Sequence, residues 1–537
     1  MLLLLIWLGF RITRAVDLSD ESYYAVFIDT WLKEGIRASP FLSLHQTAAL
    51  IVYPATRLFF ELSGSTDGLI LFLRAIYVVG ALIGALSAAT MLRRSGGGWS
   101  AWLAGALVLA FIPFGLPAPS YNTLGEQATI AALAGCGCAM LDRQIQLRAC
   151  VLWLVFSATA WAVATVAYPS LMFALGVLFV CLIIVVRPTR PMLLMYTGLV
   201  LGFQAAAWSS VLWVLTWSRI HDTILYQSSL AGSFDVIKKL SLVVDICSQN
   251  VAFTIAAVAA ILIGVFRTRL NPSIASIAMV ALFIALLLIP SALFVHSHDA
   301  VLIAALTGLG LLAGLRRREA LGARVLATIY AVSLTAGLAT AATATYGLFS
   351  FPVGGLFAAI IAVLPQSRQP GGSWVDVPGA AFLGLLFWAS ATFYYGERAS
   401  ETPQQRERIT AGVYAGLDAS EETAQLIRIA QAALGKWSAA GETIVVVGRI
   451  SGLYLLTAAR PLALIPFPLT TLAQPSGLAA TYEFYADPMH RPTTVVIYID
   501  PYFEPINPFG SKFDEWYELT DQKRTPRGTL SVFRRRK

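Results

Sequence analysis

Residues 69–94 read Leu-Ile-Leu-Phe-Leu-Arg-Ala-Ile-Tyr-Val-Val-Gly-Ala-Leu-Ile-Gly-Ala-Leu-Ser-Ala-Ala-Thr-Met-Leu-Arg-Arg, and this run sets the class of fold. Its apolar part, 69–92, is long enough to cross the ~30 Å hydrocarbon core of a bilayer as one helix, and it stops on two arginines. Runs of the same character fall at 1–16 (short), 99–117, 124–141, 149–168, 169–186, 192–217, 248–266, 273–295, 300–315, 325–345, 349–364 and 378–396. Together they predict about 13 transmembrane helices. The composition agrees: of 537 residues 57% are hydrophobic and 13% charged, and the mean hydropathy is +0.70. The chain is made for hydrocarbon rather than water.

The charges are clustered, as they must be in a chain that crosses a membrane repeatedly. Alternate connections carry Arg93-Arg94, Arg143 with Arg148, Arg187 with Arg190, Arg267 with Arg269, Arg316-Arg317-Arg318 with Arg324, and Arg368. By the positive-inside rule these are cytoplasmic. The intervening segments, 17–67, 119–122, 168–169, 219–249, 296–299 and 345–350, then face the exterior, and so does everything after about residue 397. The net charge of +8 is accounted for by these orientation signals. No basic stripe with interleaved aromatics suggests nucleic acid. Five cysteines, Cys136, Cys138, Cys150, Cys181 and Cys247, contain no CxxC pair and are odd in number, so neither a disulfide scaffold nor a haem site is implied. The start, Met-Leu-Leu-Leu-Leu-Ile-Trp, lacks a basic n-region and a small-residue cleavage site, and reads as a first helix rather than a signal peptide.

From residue 397 the composition becomes that of a soluble domain. An amphipathic helix is expected around Ser420–Trp437, with strands at Thr443–Val447, Thr494–Ile499 and Thr529–Phe533, which together suggest a small α/β layer. The expected division is a membrane domain, 1–396, with a first outer loop at 17–68, and an outer domain, 397–537. Gly448 and Gly452 do not complete a GxGxxG fingerprint, and no internal repeat is evident.

The densest chemistry is Asp17-Leu-Ser-Asp-Glu-Ser-Tyr-Tyr24, three carboxylates and two phenols directly after the first helix. Such a run can place a base at the outer membrane surface. It can equally be an acidic turn that caps the next helix, with Ser19 or Asp20 as the cap. The second outer loop, Pro119-Ser-Tyr-Asn-Thr-Leu-Gly-Glu126, offers Tyr121, Asn122 and Glu126, or else Thr123 caps the following helix with Glu126 at its third position. The segment 219–249 brings His221, Lys238 and Lys239, which can meet a phosphate or simply face anionic headgroups, and is long enough for a re-entrant or amphipathic helix. His296-Ser-His-Asp299 reads as a four-residue loop whose His296, His298 and Asp299 can hold a divalent metal, contact a phosphate or sugar, or merely turn the chain. Arg11 and Arg14 stand at the outer end of the first helix, positioned to bind phosphate or to snorkel toward headgroups.

A short first helix, an outer loop opening on Asp-Glu followed by Tyr, and amphipathic helices before the second span resemble the GT-C superfamily of polytopic membrane glycosyltransferases. Protein O-mannosyltransferases and lipid A aminoarabinose transferases are the nearest in shape. The resemblance extends to the outer α/β domain, where Gly452-Leu-Tyr-Leu-Leu-Thr-Ala-Ala-Arg460 is similar to a stretch common in such domains. It implies a catalytic pair Asp20 and Glu21, with Asp20 as the base and Asp17 an extra acid three residues upstream. Arg11, Asp17, Tyr23, Tyr24, Tyr121, Asn122, Glu126, His221, Lys238, Lys239, His296, His298 and Asp299 are then expected around the substrates. The implied activity is inverting transfer of a sugar from a polyprenyl-phosphate donor to a lipid, glycan or protein acceptor, at the outer face of a bacterial inner membrane. The resemblance implies no particular cofactor, and a divalent metal can take part. Two other readings stand beside it: a polysaccharide polymerase or ligase using diphosphate-linked glycans, and a transporter or lipid flippase. The first calls for an arginine-rich central outer loop, the second for inverted repeats and midplane charges.

Overall fold

The computed structural model describes residues 1–37, 40–142, 147–231, 236–267, 269–315, 320–345, 347–364, 376–397, 406–466, 475–501 and 506–536. The protein is a polytopic α-helical membrane protein with a small α/β region at its C-terminal end. The helices are α1 (Leu2–Arg11), α2 (Asp20–Glu34), α3 (Gln46–Ser63), α4 (Leu69–Arg94), α5 (Trp99–Ala110), α6 (Tyr121–Asp142), α7 (Leu147–Ala167), α8 (Leu171–Cys181) and α9 (Arg190–Leu215). They continue with α10 (Trp217–Ala231), α11 (Val236–Gln249), α12 (Val251–Phe266), α13 (Pro272–Leu288), α14 (His296–Leu306), α15 (Leu321–Thr343), α16 (Phe351–Val363) and α17 (Val377–Thr392).

Every apolar run in the sequence carries one of these helices, but their lengths are unequal. Among the described residues six are long and apolar enough to cross a membrane alone: α4, α6, α7, α9, α14 with its 3-10 continuation, and α15. The pair α11–α12 passes the same test jointly and is bent by 104° at its break, and six shorter apolar helices complete the set. The shortening has local causes. The run 99–117 leaves the helix after Ala110, where Pro113, Pro117 and Pro119 deprive the backbone of donors. Outward-facing side chains such as Leu152, Phe173, Leu194, Ile255 and Ile277 are each more than 60% exposed. So broad an apolar surface is stable only against lipid.

The described arginines of the ladder gather at one end of the bundle. Arg94 pairs with Asp142, joining the ends of α4 and α6, and Arg324 donates to the Val185 carbonyl below α8 at 3.1 Å. Arg143, Arg316-Arg317-Arg318 and Arg368 lie outside the described residues.

At the opposite end stand two sheets, one of β1 (Arg406–Arg408) and β2 (Asp418–Ser420), the other of β3 (Thr443–Val447), β4 (Arg460–Pro461), β5 (Thr494–Ile499), β6 (Tyr517–Thr525) and β7 (Gly528–Arg535) in the order β4-β3-β5-β7-β6. β3 is parallel to β4 and β5, and the β6–β7 hairpin adds antiparallel to β5. All three expected strands are present, as is the amphipathic helix, α18 (Glu421–Trp437), capped by the Ser420 side chain.

The apolar core runs across residue 397. A continuous apolar cluster joins Val16, Tyr24, Phe27 and Trp31 to Tyr414, Leu417, Leu453 and Val496. Residues 13–15 lie beside β2, with Ala15 N–H donating to Asp418 O at 3.0 Å and Asp418 N–H to Thr13 O at 2.8 Å. The start of α4 is bonded to the same region through Ile70 N–H to Val413 O, 3.1 Å. The first outer loop and the α/β region are therefore one packed body on top of the bundle.

Candidate active site

The segment 17–24 begins with a cap. Asp17 is 1% exposed. Its Oδ1 accepts from the Ser19 N–H (2.9 Å) and hydroxyl (2.6 Å), and its Oδ2 accepts from the Glu21 N–H at 2.7 Å. An acid in this position satisfies donors that the first turn of α2 leaves open. The capping role expected of Ser19 or Asp20 thus belongs to Asp17.

Glu21 faces inward, and its buried carboxylate takes both Nε and Nη2 of Arg74 at 2.6 Å each. Arg74 also donates to the carbonyls of Ile12 (2.8 Å), Arg14 (2.9 Å) and Ala15 (3.0 Å). The pair clamps the connection from α1 to α2. Geometrically Glu21, expected beside Asp20 as the second residue of a catalytic pair, belongs to this clamp.

Asp20 alone of the three acids keeps an accessible carboxylate, with 30% of its side chain exposed. Tyr395, which follows α17, donates its hydroxyl to Asp20 Oδ2. Arg449, which follows β3, donates Nη2 to the Tyr395 hydroxyl at 2.5 Å and lies 3.7 Å from Asp20 Oδ2. Desolvation and the nearby Asp17 charge raise the Asp20 pKa to about 7 in spite of Arg449, which lowers it. A carboxyl so poised exchanges a proton near neutral pH.

Arg449 is held in place by its own loop. Gly448 has φ +129°, and a Cβ there would stand 2.5 Å from Tyr498 O, so the turn out of β3 needs glycine. Beyond it Gly452 N–H donates to Leu18 O at 2.8 Å and the Ser451 hydroxyl to Ser19 O at 2.5 Å. A Cβ on Gly452 would meet the Tyr414 hydroxyl at 2.2 Å, and that hydroxyl is bonded to Ser22 Oγ at 2.7 Å. The Gly452–Arg460 stretch marked in the sequence is thus where the α/β region docks on the acidic loop.

Beside Asp20 is an aromatic group. Tyr23 bonds Ser43 Oγ at 2.5 Å, and the Tyr24 hydroxyl accepts from the Tyr121 N–H at 3.3 Å. His45 stacks on Tyr121 with centroids 4.4 Å apart and 6° between planes, and burial pushes its pKa down to about 4, so it is neutral. Tyr395, Arg449, Arg74 and His45 were not singled out in the sequence. Each is far along the chain from Asp20, and only the folded arrangement brings it near.

No protein-family model and no curated protein matches the chain. Among solved structures it is similar to the arabinofuranosyltransferase AftD from Mycobacteria, at 16% identity and a TM-score of 0.44, over 97% of this chain and 40% of that one. It therefore spans well under half the length of that protein. It is also similar to ArnT from Cupriavidus metallidurans in the apo state, at 12% identity and 0.46, over 98% of this chain and 96% of that one. With the same protein bound to undecaprenyl phosphate the figures are 13% and 0.45, over 99% and 96%.

The other expected substrate contacts are dispersed, and most have partners within the fold. Arg11, 1% exposed, donates to the carbonyls of Gly115 (2.9 Å), Phe393 (3.1 Å) and Ser390 (3.4 Å) and lies 3.8 Å from the Tyr394 ring centroid. It ties α1 to α17. His296-Ser-His-Asp299 forms the first turn of α14 rather than a loop. His298 is wholly buried, with Nδ1 donating to Phe349 O at 2.8 Å and Nε2 accepting from Phe114 N–H at 3.0 Å. Asp299 accepts from the N–H groups of Ala292 (3.2 Å) and Leu293 (2.8 Å), and His296 packs its ring against Trp388. Lys239 donates to the carbonyls of Ala344 and Thr345, where α15 ends and its carbonyls need donors. Lys238 lies on the exposed face of α11, and His221 pairs with Asp222 on the exposed face of α10. These cations lie on separate segments, and helix ends and bends engage several of them.

α6 begins at Tyr121, with Ser120 and Thr123 bonded reciprocally as its cap (2.8 and 3.2 Å), so Glu126 is inside the helix. Asn122 Oδ1 and Glu126 Oε2, one turn apart, are buried with no hydrogen-bond partner among the described residues. Among the described residues no group of three His, Cys, Asp or Glu is arranged to hold a metal.

Proposed function

We propose that the protein is an inverting glycosyltransferase that moves a sugar from a polyprenyl-phosphate donor to a lipid, glycan or protein acceptor at the outer face of a bacterial inner membrane. In this reading residues 397–537 form a periplasmic domain over the catalytic loop. The observation that carries it is Asp20, an accessible carboxylate with a pKa near neutrality, at the junction between an apolar helical bundle and an outer α/β body. A lipid-held donor reaches that junction from the bilayer and an acceptor reaches it from water.

Asp20 takes the proton of the acceptor hydroxyl as its oxygen bonds to the anomeric carbon. The bond from that carbon to the phosphate oxygen breaks, and polyprenyl phosphate leaves with the electron pair. One displacement at one face inverts the anomeric centre. Half-buried Tyr121 and neutral His45, backed by the buried Tyr23 and Tyr24, offer the flat surface a sugar packs against. The arginine-rich central loop expected of a diphosphate-using polymerase is absent from the sequence. Arg219, the lone arginine of 219–249, donates to Phe41 O at 3.2 Å. The test is turnover with a polyprenyl-phosphate sugar donor. Asp20→Asn is expected to abolish transfer while leaving the fold intact, and near-normal turnover by that variant refutes the assignment.

A further inference from the structure

We infer that Arg449 is the cation that binds the donor's phosphate, and that Asp20 and Tyr395 hold it in readiness. The inference rests on the donor proposed above and assigns it a binding residue. A base carboxylate and a phosphate brought into one site are like charges, and they coexist only with a cation between them. Other cations are engaged elsewhere: Arg11 with three carbonyls, Lys239 with the end of α15 and Arg74 with Glu21, while Lys238 lies on the exposed face of α11. Arg14 faces Asp418 at 3.6 Å.

Arg449 differs from these in two respects. Its side chain is 33% exposed, and it stands 3.7 Å from the Asp20 carboxylate. It is also presented by a turn that Gly448, Ser451 and Gly452 fix onto the acidic loop, so its reach is set by backbone rather than by chance. Its forked guanidinium suits phosphate oxygens, and the contacts with the Tyr395 hydroxyl and with the carboxylate at 3.7 Å are ones a phosphate can replace. On phosphate binding the guanidinium shifts from Tyr395 toward the donor and leaves Asp20 available as base.

The experiment measures binding, not turnover, on the full chain in nanodiscs, with a polyprenyl phosphate and the matching polyprenol as probes. Arg449→Gln is expected to weaken polyprenyl-phosphate binding ~10-fold or more, Arg449→Lys to recover most of it, and neither to alter polyprenol binding. Asp20→Asn is expected to bind the phosphate lipid at least as tightly as the parent, since it removes a competing negative charge. Parent-like binding by Arg449→Gln overturns the inference and makes Arg449 a positioning residue for Asp20, while leaving the base assignment to its own turnover test. Equal competition by phosphatidylglycerol overturns it in favour of a headgroup contact. A parent that binds polyprenol as well as polyprenyl phosphate overturns both this inference and the donor it rests on. Should Arg449→Gln fail to fold, Tyr395→Phe decides instead: freed of the phenol, the guanidinium is expected to raise the ratio of phosphate to alcohol affinity, and an unchanged or lowered ratio overturns the inference.

Discussion

Two short polar runs, Asp17–Tyr24 and His296–Asp299, look alike in the sequence: each adjoins an apolar helix and each holds groups that can bind metal, phosphate or sugar. Folded, they differ. In the second run both nitrogens of His298 and both oxygens of Asp299 are bonded to backbone groups. In the first, Asp17 and Glu21 are engaged in the same way, by a helix start and by Arg74, but among the described residues Asp20 meets side chains, Tyr395 and Arg449, that come from distant segments and remain partly exposed. Polar residues at helix ends in a membrane protein chiefly satisfy backbone groups that lipid cannot. A side chain that escapes that duty is the one available for chemistry.

The sharpest way to break this comparison is at neighbouring acids. Glu21→Gln leaves Arg74 buried without its counter-charge, and removal of one partner of such a pair costs about 3–5 kcal/mol. The expected result is a large loss of thermal stability and yield, with turnover per folded molecule largely kept; the inverse pattern would make Glu21 the base. Asp20→Asn should do the opposite, lowering turnover by roughly 100-fold or more, about 2.7 kcal/mol of activation energy, with the melting temperature little changed.

Most of the fold was legible because hydrophobic runs and charge clusters are local signals. The run 69–94 needs no partner to be read as a span, and Thr443–Val447 none to be read as a strand. What could not be read was which polar group meets which. That Arg11 would cross to carbonyls near 115 and 393, or that Arg74, inside an apolar run, would neutralise Glu21, depends on tertiary placement. The Asp20 position was legible as an acid beside the membrane. Its partners Tyr395 and Arg449 were not, being contributed by the end of one span and a turn after one strand.

The pH profile refines the comparison further. Desolvation and Asp17 raise the Asp20 pKa to about 7, and Arg449 opposes them. The base must be ionised, so activity is lost as pH falls through that value. Between pH 8 and pH 6 turnover should drop ~10-fold, following the ionised fraction of a group with this pKa. The groups facing Asp20 are Asp17, Tyr395 and Arg449. Replacing Asp17 by a neutral residue should therefore move the inflection downward, and a profile flat from pH 6 to 8 would remove Asp20 from the proton transfer.

The smallest effect is expected from Asp17→Asn, and it discriminates most finely between capping and catalysis. Asparagine keeps an oxygen that can accept from the Ser19 N–H and hydroxyl, but where aspartate accepts from the Glu21 N–H it presents either an amide donor or, flipped, loses the Ser19 bonds. One capping bond at a helix start is worth about 1 kcal/mol, so the melting temperature should fall by a few degrees. Turnover at pH 8 should change by no more than about threefold, because the acid is enclosed and reaches no substrate. Both readouts are needed: a stability loss with activity retained confirms a cap that also tunes its neighbour's charge, whereas a 100-fold loss of turnover with unchanged stability would move the catalytic acid three residues upstream and leave Asp20 as the group that holds Tyr395 and Arg449.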